Sequence, residues 1–398
     1  MDFDSCAFAV ILILCIGMVI ITLLYFIRKL RLIKEVLDKK PNLNNKEMTT
    51  TDINNLDNKI PLNSDTKVDI VGVNSQDKST SIPFIQAAVE KIVDADIPEQ
   101  KLNSNDSFKL SQARIQGLSH KRANPPIPCQ DFGKAGILPN GFHVIIISDG
   151  AGSSRLSHVA SEYCVNTLFS NLQIFDFSDL KPDADDAQIL QIKWNKAVLD
   201  LFGRTRNSLL NLSKENNVSP SDLYCTLLLV IKTDWGFLSA NIGDGRSGVS
   251  NGKPHTLSVP LQTFTAGATF FLIKEGWENI FRTYTTPVAD WSKIKYFFAT
   301  TDGCQDFVMD WSDKGPRQGV YDNVLGDEAR YDSNVPYEPF FDGLIASLNE
   351  VATEQERNER LKNLIEKGIY VSHGVEKELK SISDPLLDDD KTLLVFHK

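Results

Sequence analysis

Histidine and cysteine are scarce in this chain of 398 residues, with six of each. The cysteines form no CxxC pair. Cys6 and Cys15 sit in an apolar N-terminal run, and Cys129, Cys164, Cys225 and Cys304 are scattered. That pattern indicates neither a zinc cluster nor a disulfide framework. Basic residues are in the minority: 42 Lys and Arg against 52 Asp and Glu leave a formal net charge of -10. A nucleic-acid binder normally shows a basic face, so that class is disfavoured. No internal repeat is present. The stretch "GVSNGKP" resembles a phosphate-binding loop only in passing, because its glycine spacing is short and Pro254 replaces the required hydroxyl. No cysteine precedes the glycine-containing loop and arginine that thiol-based phosphate chemistry uses, which discounts Cys129 as a nucleophile.

What is present divides the chain in three. "AFAVILILCIGMVIITLLYFI", residues 7–27, carries no charge. As a helix it is long enough to cross a hydrocarbon core of roughly 30 Å. Its start is acidic (Asp2, Asp4) and its far flank basic (Arg28, Lys29, Arg31, Lys34). That asymmetry predicts a single-pass anchor in a plasma (inner) membrane with the C-terminal bulk in the cytoplasm. Residues 28–107 read as a polar flexible tether, rich in Asn, Asp, Thr, Ser and Lys and poor in apolar periodicity. Within it, "IPFIQAAVEKIVDAD" spaces Ile85, Ala88, Val89, Ile92 and Val93 as a short amphipathic helix.

Residues 108–398 carry the pattern of a globular domain, and ordinary apolar (42%) and charged (24%) contents allow a buried core. Strands are predicted at "FKLSQARIQGLSH", "GFHVIIIS", "LYCTLLLVIK", "WGFLSANIG", "IKYFFATT" and "KTLLVFH". A hairpin is expected at "RSGVSNGKPHTLS", turning at Asn251-Gly252. Helices are predicted over "LSHVASEYCVNTLFSNL", over residues 186–215 and over one long region, 339–367. Strands and helices come in blocks rather than in strict alternation. The fold class expected is therefore α+β, with two antiparallel sheets in a β-sandwich flanked by helices.

Apolar strands in this domain repeatedly end on a carboxylate. "IIISDGAG" ends at Asp149-Gly150 and "YFFATTDG" at Asp302-Gly303. "SANIGDGR" places Asp244 at a strand end, "PPIPCQDF" puts Asp131 before a strand, and "DPLLDDDKTLLVF" puts Asp388, Asp389 and Asp390 before the last one. Singly, an Asp-Gly is a turn and an acidic run is a solvated face. Gathered at neighbouring strand ends, such carboxylates would repel one another unless cations joined them. The donors are all oxygens, which suits Mg²⁺ or Mn²⁺ rather than Zn²⁺. Two such ions sharing one carboxylate can acidify a water and aim it at phosphorus. His143, His158 and His255 read as structural.

In order and spacing, "QGLSHKRANPPIPCQD", "IIISDGAGS", "ANIGDGR", "FFATTDG" and "DDKTLLV" resemble the protein phosphatase 2C family, and in particular a bacterial branch with a "GxSH…QD" opening. The resemblance covers residues 108–398. It implies a metal-dependent Ser/Thr phosphatase acting on phosphorylated proteins, with two core ions and a weaker third. It also implies that Asp149 bridges both core ions with help from the Gly150 carbonyl, that Asp302 and Asp389 hold the first, that Asp131 serves the second and that Asp244 serves the third. Among the cations that could grip phosphate, His120 and Arg122 rank ahead of Lys121 and Arg155. Four features depart from the family pattern. Ala151 stands where animal relatives carry a histidine, Gly245 replaces the serine of "GDSR", Arg122 lies farther upstream of the opening acid, behind "NPPIP", than the family's phosphate-gripping arginine, and the final motif reads Asp-Asp instead of Asp-Asn. The alternative readings are a membrane-anchored pseudophosphatase that binds phosphoproteins as a scaffold, and a hydrolase of small phosphate esters. Nothing in the pattern specifies an oligomeric state.

Overall fold

The computed structural model describes residues 108–181, 187–262, 269–309, 320–321, 330–331, 335–366, 369–372, 375–378 and 389–398. The anchor expected at 7–27, the tether expected at 28–107 and Asp388 lie outside them. No helix among the described residues is long and apolar enough to cross a membrane.

Two five-stranded sheets form the centre. The first contains β1 (Lys109–Ile115), β6 (Arg246–Ser250), β7 (Pro254–Ser258), β10 (Tyr296–Thr300) and β15 (Lys391–His397), in the order β1-β15-β10-β6-β7. The second contains β2 (Phe132–Ile137), β3 (His143–Ser148), β4 (Leu227–Lys232), β5 (Gly236–Ile242) and β9 (Arg282–Pro287), ordered β2-β3-β4-β5-β9. Every pairing within them is antiparallel. Two small ribbons add β8 (Leu261–Gln262), β11 (Val320–Tyr321) and β12 (Arg330–Tyr331), and the hairpin β13 (Ile369–Ser372) with β14 (Val375–Glu378). The helices are α1 (Leu118–Arg122), α2 (Ser157–Gln173), α3 (Ala187–Glu215), α4 (Gln305–Val308), α5 (Glu338–Asn349) and α6 (Glu354–Glu366).

The long apolar runs are explained by three cores. Successive strand residues point to opposite faces. Ile145, Ile147, Leu228, Val230, Phe297, Ala299, Leu394 and Phe396 therefore meet between the sheets. Their neighbours Val144, Ile146, Leu229 and Ile231 face α2 and α3, which contribute Val159, Leu168, Trp194 and Phe202. On the other side Tyr296, Phe298, Leu393 and Val395 face Phe341, Leu344, Leu361 and Ile365 of α5 and α6. Each central strand is covered on both faces, so apolar residues do not alternate with polar ones. His143 is fully buried, with its ring edge-on to Phe108, Phe297 and Phe396.

Three local expectations change. The region expected as one helix over 339–367 is two, α5 and α6. The second starts with a reciprocal cap, in which Thr353 Oγ1 accepts the Glu356 amide at 3.2 Å and Glu356 Oε2 accepts the Thr353 amide at 2.9 Å. The first strand stops at Ile115, and the "LSH" that was read into it belongs to α1. Strands β2 ("FGKAGI") and β9 ("RTYTTP") had no apolar signal, because glycines interrupt one and the other is a polar edge strand.

Candidate metal centre

Antiparallel register brings the acidic strand ends together. Phe132 pairs with Ser148, so Asp131 before β2 lies beside Asp149 after β3. Leu227 pairs with Ile242 at the end of β5, just ahead of Asp244. In the facing sheet Arg246 pairs with Thr300, and Thr300 with Leu393. The exit of β10 at Asp302 therefore adjoins the entry of β15 at Asp389 and Asp390. All these termini open at one end of the sandwich. Carboxylate oxygens of Asp149, Asp244 and Asp302 lie within 4.8 Å of one another. Asp149 belongs to that trio and, through the β2–β3 register, also lies beside Asp131, so it stands nearest the middle of the group.

The first Asp-Gly is not a turn. Beyond β3 the chain continues in ladder contact: the Asp149 amide donates to Thr226 Oγ1 at 2.9 Å, the Thr226 amide donates to the Asp149 carbonyl at 2.8 Å, and Gly150 bridges Cys225. Gly150 is required by close packing. A Cβ there would stand 2.8 Å from the Gln130 carbonyl oxygen and 2.8 Å from Ser157 Cβ. At the second Asp-Gly the fit is tighter still, since a Cβ on Gly303 would lie 1.9 Å from the Asp390 carbonyl oxygen. Gly243, with φ +118°, delivers Asp244 through a conformation that side chains rarely adopt.

Asp389 and Asp390 have different surroundings. Asp390 is buried, and its oxygens accept the Gly117 amide at 2.7 Å and the Gln130 amide at 2.5 Å and lie 2.9 Å from His120 Nδ1. It clamps α1 and the segment before Asp131 onto the start of β15. Asp389 is exposed at the rim and accepts only the Asp390 amide, at 2.9 Å, among the described contacts. Lys391, whose side chain is buried, donates from Nζ to the Asp389 carbonyl at 2.9 Å.

The acids strain against their surroundings. Burial pushes the Asp131 carboxyl up to about 7, with the Thr301 hydrogen bond opposing and the charges of Asp390 and Asp389 adding. Asp149 is raised well above the ordinary carboxylate range by burial and then by Asp131, Asp302, Asp244 and Asp389. Asp302 is raised in the same way by burial, Asp244, Asp389 and Asp131. Asp244 is raised by burial, against the nearby Arg246. Asp389, though its residue is exposed, is raised by partial loss of hydration among its neighbours, against the Asp390 amide. Asp244 Oδ1 is buried without a hydrogen-bond partner. A set of crowded, partly orphaned carboxylates with no sulfur or imidazole donor among them fits hard divalent cations such as Mg²⁺ or Mn²⁺.

The structure brings Asp131, Asp149, Gly150, Asp244, Asp302 and Asp389 to this pocket. The basic candidates are placed differently. His120 is engaged with Asp390, Lys121 pairs with Glu366 at 2.8 Å and Arg155 with Asp222 at 3.3 Å, while Arg122 is exposed at the end of α1. Arg114, which sequence reasoning passed over, donates to the Cys129 carbonyl at 2.9 Å and covers the Phe132 ring beside Asp131. Thr226 and Thr301 were also missed. The only available cue was a hydroxyl residue next to an Asp-Gly or at a strand start, and such residues are common there without a role.

The structure thus holds a cluster of carboxylates at one end of a helix-flanked antiparallel sandwich on an α+β fold. The family model described as "Protein phosphatase 2C" matches residues 116–366, and the chain belongs to that family. Among solved structures it is similar to the serine/threonine phosphatase Stp1 from Staphylococcus aureus, at 11% identity, covering 76% of this chain and 99% of that one, with a TM-score of 0.44. It is also similar to the serine/threonine phosphatase of S. agalactiae (16%; 73% and 100%; TM-score 0.38) and to a C. elegans sex determining protein (14%; 79% and 71%; TM-score 0.43). A comparison with curated protein sequences gives no significant match.

Proposed function

We propose that this chain hydrolyses phosphoserine and phosphothreonine in proteins, using water activated between two divalent cations. The observation that carries the reading is the gathering of Asp149, Asp244 and Asp302 oxygens within 4.8 Å of one another, with Asp131 set beside Asp149 by the β2–β3 register. One carboxylate so placed can serve two ions at once. Asp302 and Asp389 would complete the first ion position and Asp131 the second, with Asp244 available to a third. When bound, such ions supply a water acidified for attack on phosphorus. The chain's own residues supply the rest. Thr226, through its hydroxyl and amide, and Cys225, through a backbone bridge, hold the Asp149-Gly150 segment, and Asp390 locks the start of β15. Ala151 takes part only through its backbone, its amide donating to the Tyr224 carbonyl and its carbonyl accepting the Ser154 amide, both at 2.9 Å, so no side-chain acid stands directly after the Asp-Gly. The leaving oxygen must then take its proton from water or from another group.

A scaffold that merely bound phosphoproteins would have no need to crowd this many acids at a cost in stability. Phosphate release from a phosphopeptide by the full chain, with and without Mn²⁺, tests the reading. Metal-dependent release is expected, and no release at saturating Mn²⁺ would refute it. Placement of the catalytic domain in the cytoplasm behind an anchor at residues 7–27 is part of the proposal. It rests on the charge asymmetry around that segment. A reporter fused after Lys398 should be active as a cytoplasmic fusion and inactive as an exported one.

A further inference from the structure

We infer that Thr301 is a positioning residue for the second cation, acting through the Asp131 carboxylate; this rests on the two-ion reading above. The Thr301 hydroxyl donates to Asp131 Oδ2 at 2.6 Å, and both residues are buried. The same oxygen accepts the Thr392 amide at 3.0 Å. A hydroxyl has one proton and two acceptor lone pairs; the Thr392 amide takes a lone pair, and the proton goes to the ionised Asp131 carboxylate, which can only accept. The Thr301 amide in turn donates to the Thr392 carbonyl at 3.1 Å, which fixes the backbone that carries the hydroxyl.

Three acid-bearing segments meet at this side chain. Thr301 directly precedes Asp302, its donor Thr392 lies in the strand that Asp389 precedes, and its acceptor is Asp131 of the facing sheet. One oxygen of Asp131 is thereby held by the protein and the other is left for a cation. Partners of this kind orient a ligand and tune its donor strength, and their loss commonly weakens metal binding about 10- to 100-fold. Valine has the shape of threonine without the hydroxyl, so the function of the hydroxyl can be separated from packing.

The test is calorimetric titration of Mn²⁺ into the full chain for the wild type, Thr301→Val, Thr301→Ser, Asp131→Asn and the Thr301→Val/Asp131→Asn double variant. Thermal unfolding of each metal-free protein is recorded alongside. Thr301→Val should weaken one of the two core ions about 10- to 100-fold and leave the other nearly unchanged. Thr301→Ser should restore the affinity. In the Asp131→Asn background the valine should add no further loss. If Thr301→Val does not fold, Thr301→Cys takes its place, since a thiol is a weaker donor and should give an intermediate loss. Unchanged affinities in the valine variant, equal weakening of both ions, or a further loss in the Asp131→Asn background would each overturn the role. A wild type that binds two ions alongside an indistinguishable valine variant overturns this inference alone. A wild type that binds no divalent ion overturns the two-ion reading and this role with it.

Discussion

Replacing Asp131 by asparagine should make the metal-free protein more stable at alkaline pH while removing a cation ligand. Asp131 is 1% exposed, and its carboxyl titrates near 7 in the folded chain against an ordinary value of 3.8. The folded state therefore keeps a proton over a window in which the unfolded chain has lost it. Below that window the carboxyl contributes no penalty. As pH rises from about 4 to 7 the metal-free fold loses stability, and above the window the loss is constant. A gap of about three units, at roughly 1.4 kcal/mol each, sets that loss on the order of 4 kcal/mol. Asparagine is neutral throughout, and its amide oxygen can accept the Thr301 hydrogen bond. Asp149, Asp244, Asp302 and Asp389 are raised as well, so both proteins should weaken with pH, and the observable is the difference between them. Urea unfolding of the two metal-free proteins at pH 5, 6, 7 and 8 measures it. The variant should gain on the wild type by a few kcal/mol across that range, and excess Mn²⁺ at pH 8 should reverse the order. A difference that does not change with pH would refute the reasoning.

Further outcomes follow from the same geometry. Asp149→Asn should fold normally yet lose several orders of magnitude in turnover, because it removes the charge that two cations would share; phosphopeptide kinetics with metal titration check this. Gly303→Ala would put a Cβ 1.9 Å from the Asp390 carbonyl oxygen, so it should cost several kcal/mol or shift the start of β15, read by denaturant unfolding and by weaker metal binding. Phosphate-ester rates at saturating metal should fall steeply as the leaving-group pKa rises, given Ala151 where an acid could stand; a flat dependence would point to another proton donor.

Much of the domain could be read from pattern. Runs such as "HVIIIS" and "YFFAT" can only be strands buried on both faces, and Asn251-Gly252 dictates a hairpin, with Gly252 at φ +94°. The acids of the pocket could be listed from sequence because each one abruptly ends or precedes such a run. Strands β2 and β9 escaped notice, since a strand that pairs at an edge needs backbone hydrogen bonds more than apolar side chains. The break between α5 and α6 was readable in principle from Thr353 and Glu356, whose spacing is that of a reciprocal cap.

Only tertiary structure separated Asp389 from Asp390, neighbours in an acidic run that differ in what reaches them from residues 117, 120 and 130. It also explained the two glycines. Asp149-Gly150 and Asp302-Gly303 read in sequence as turn dipeptides alone, but their missing Cβ atoms also make room for Gln130 and Ser157 at the first and for Asp390, far along the chain, at the second. Composition and periodicity report what a residue requires of its own backbone and of solvent. Which carboxylate is left unpaired, and which hydroxyl is aimed at it, depends on strand register between segments as far as 273 residues apart, as with Gly117 and Asp390. Local sequence carries no record of that register.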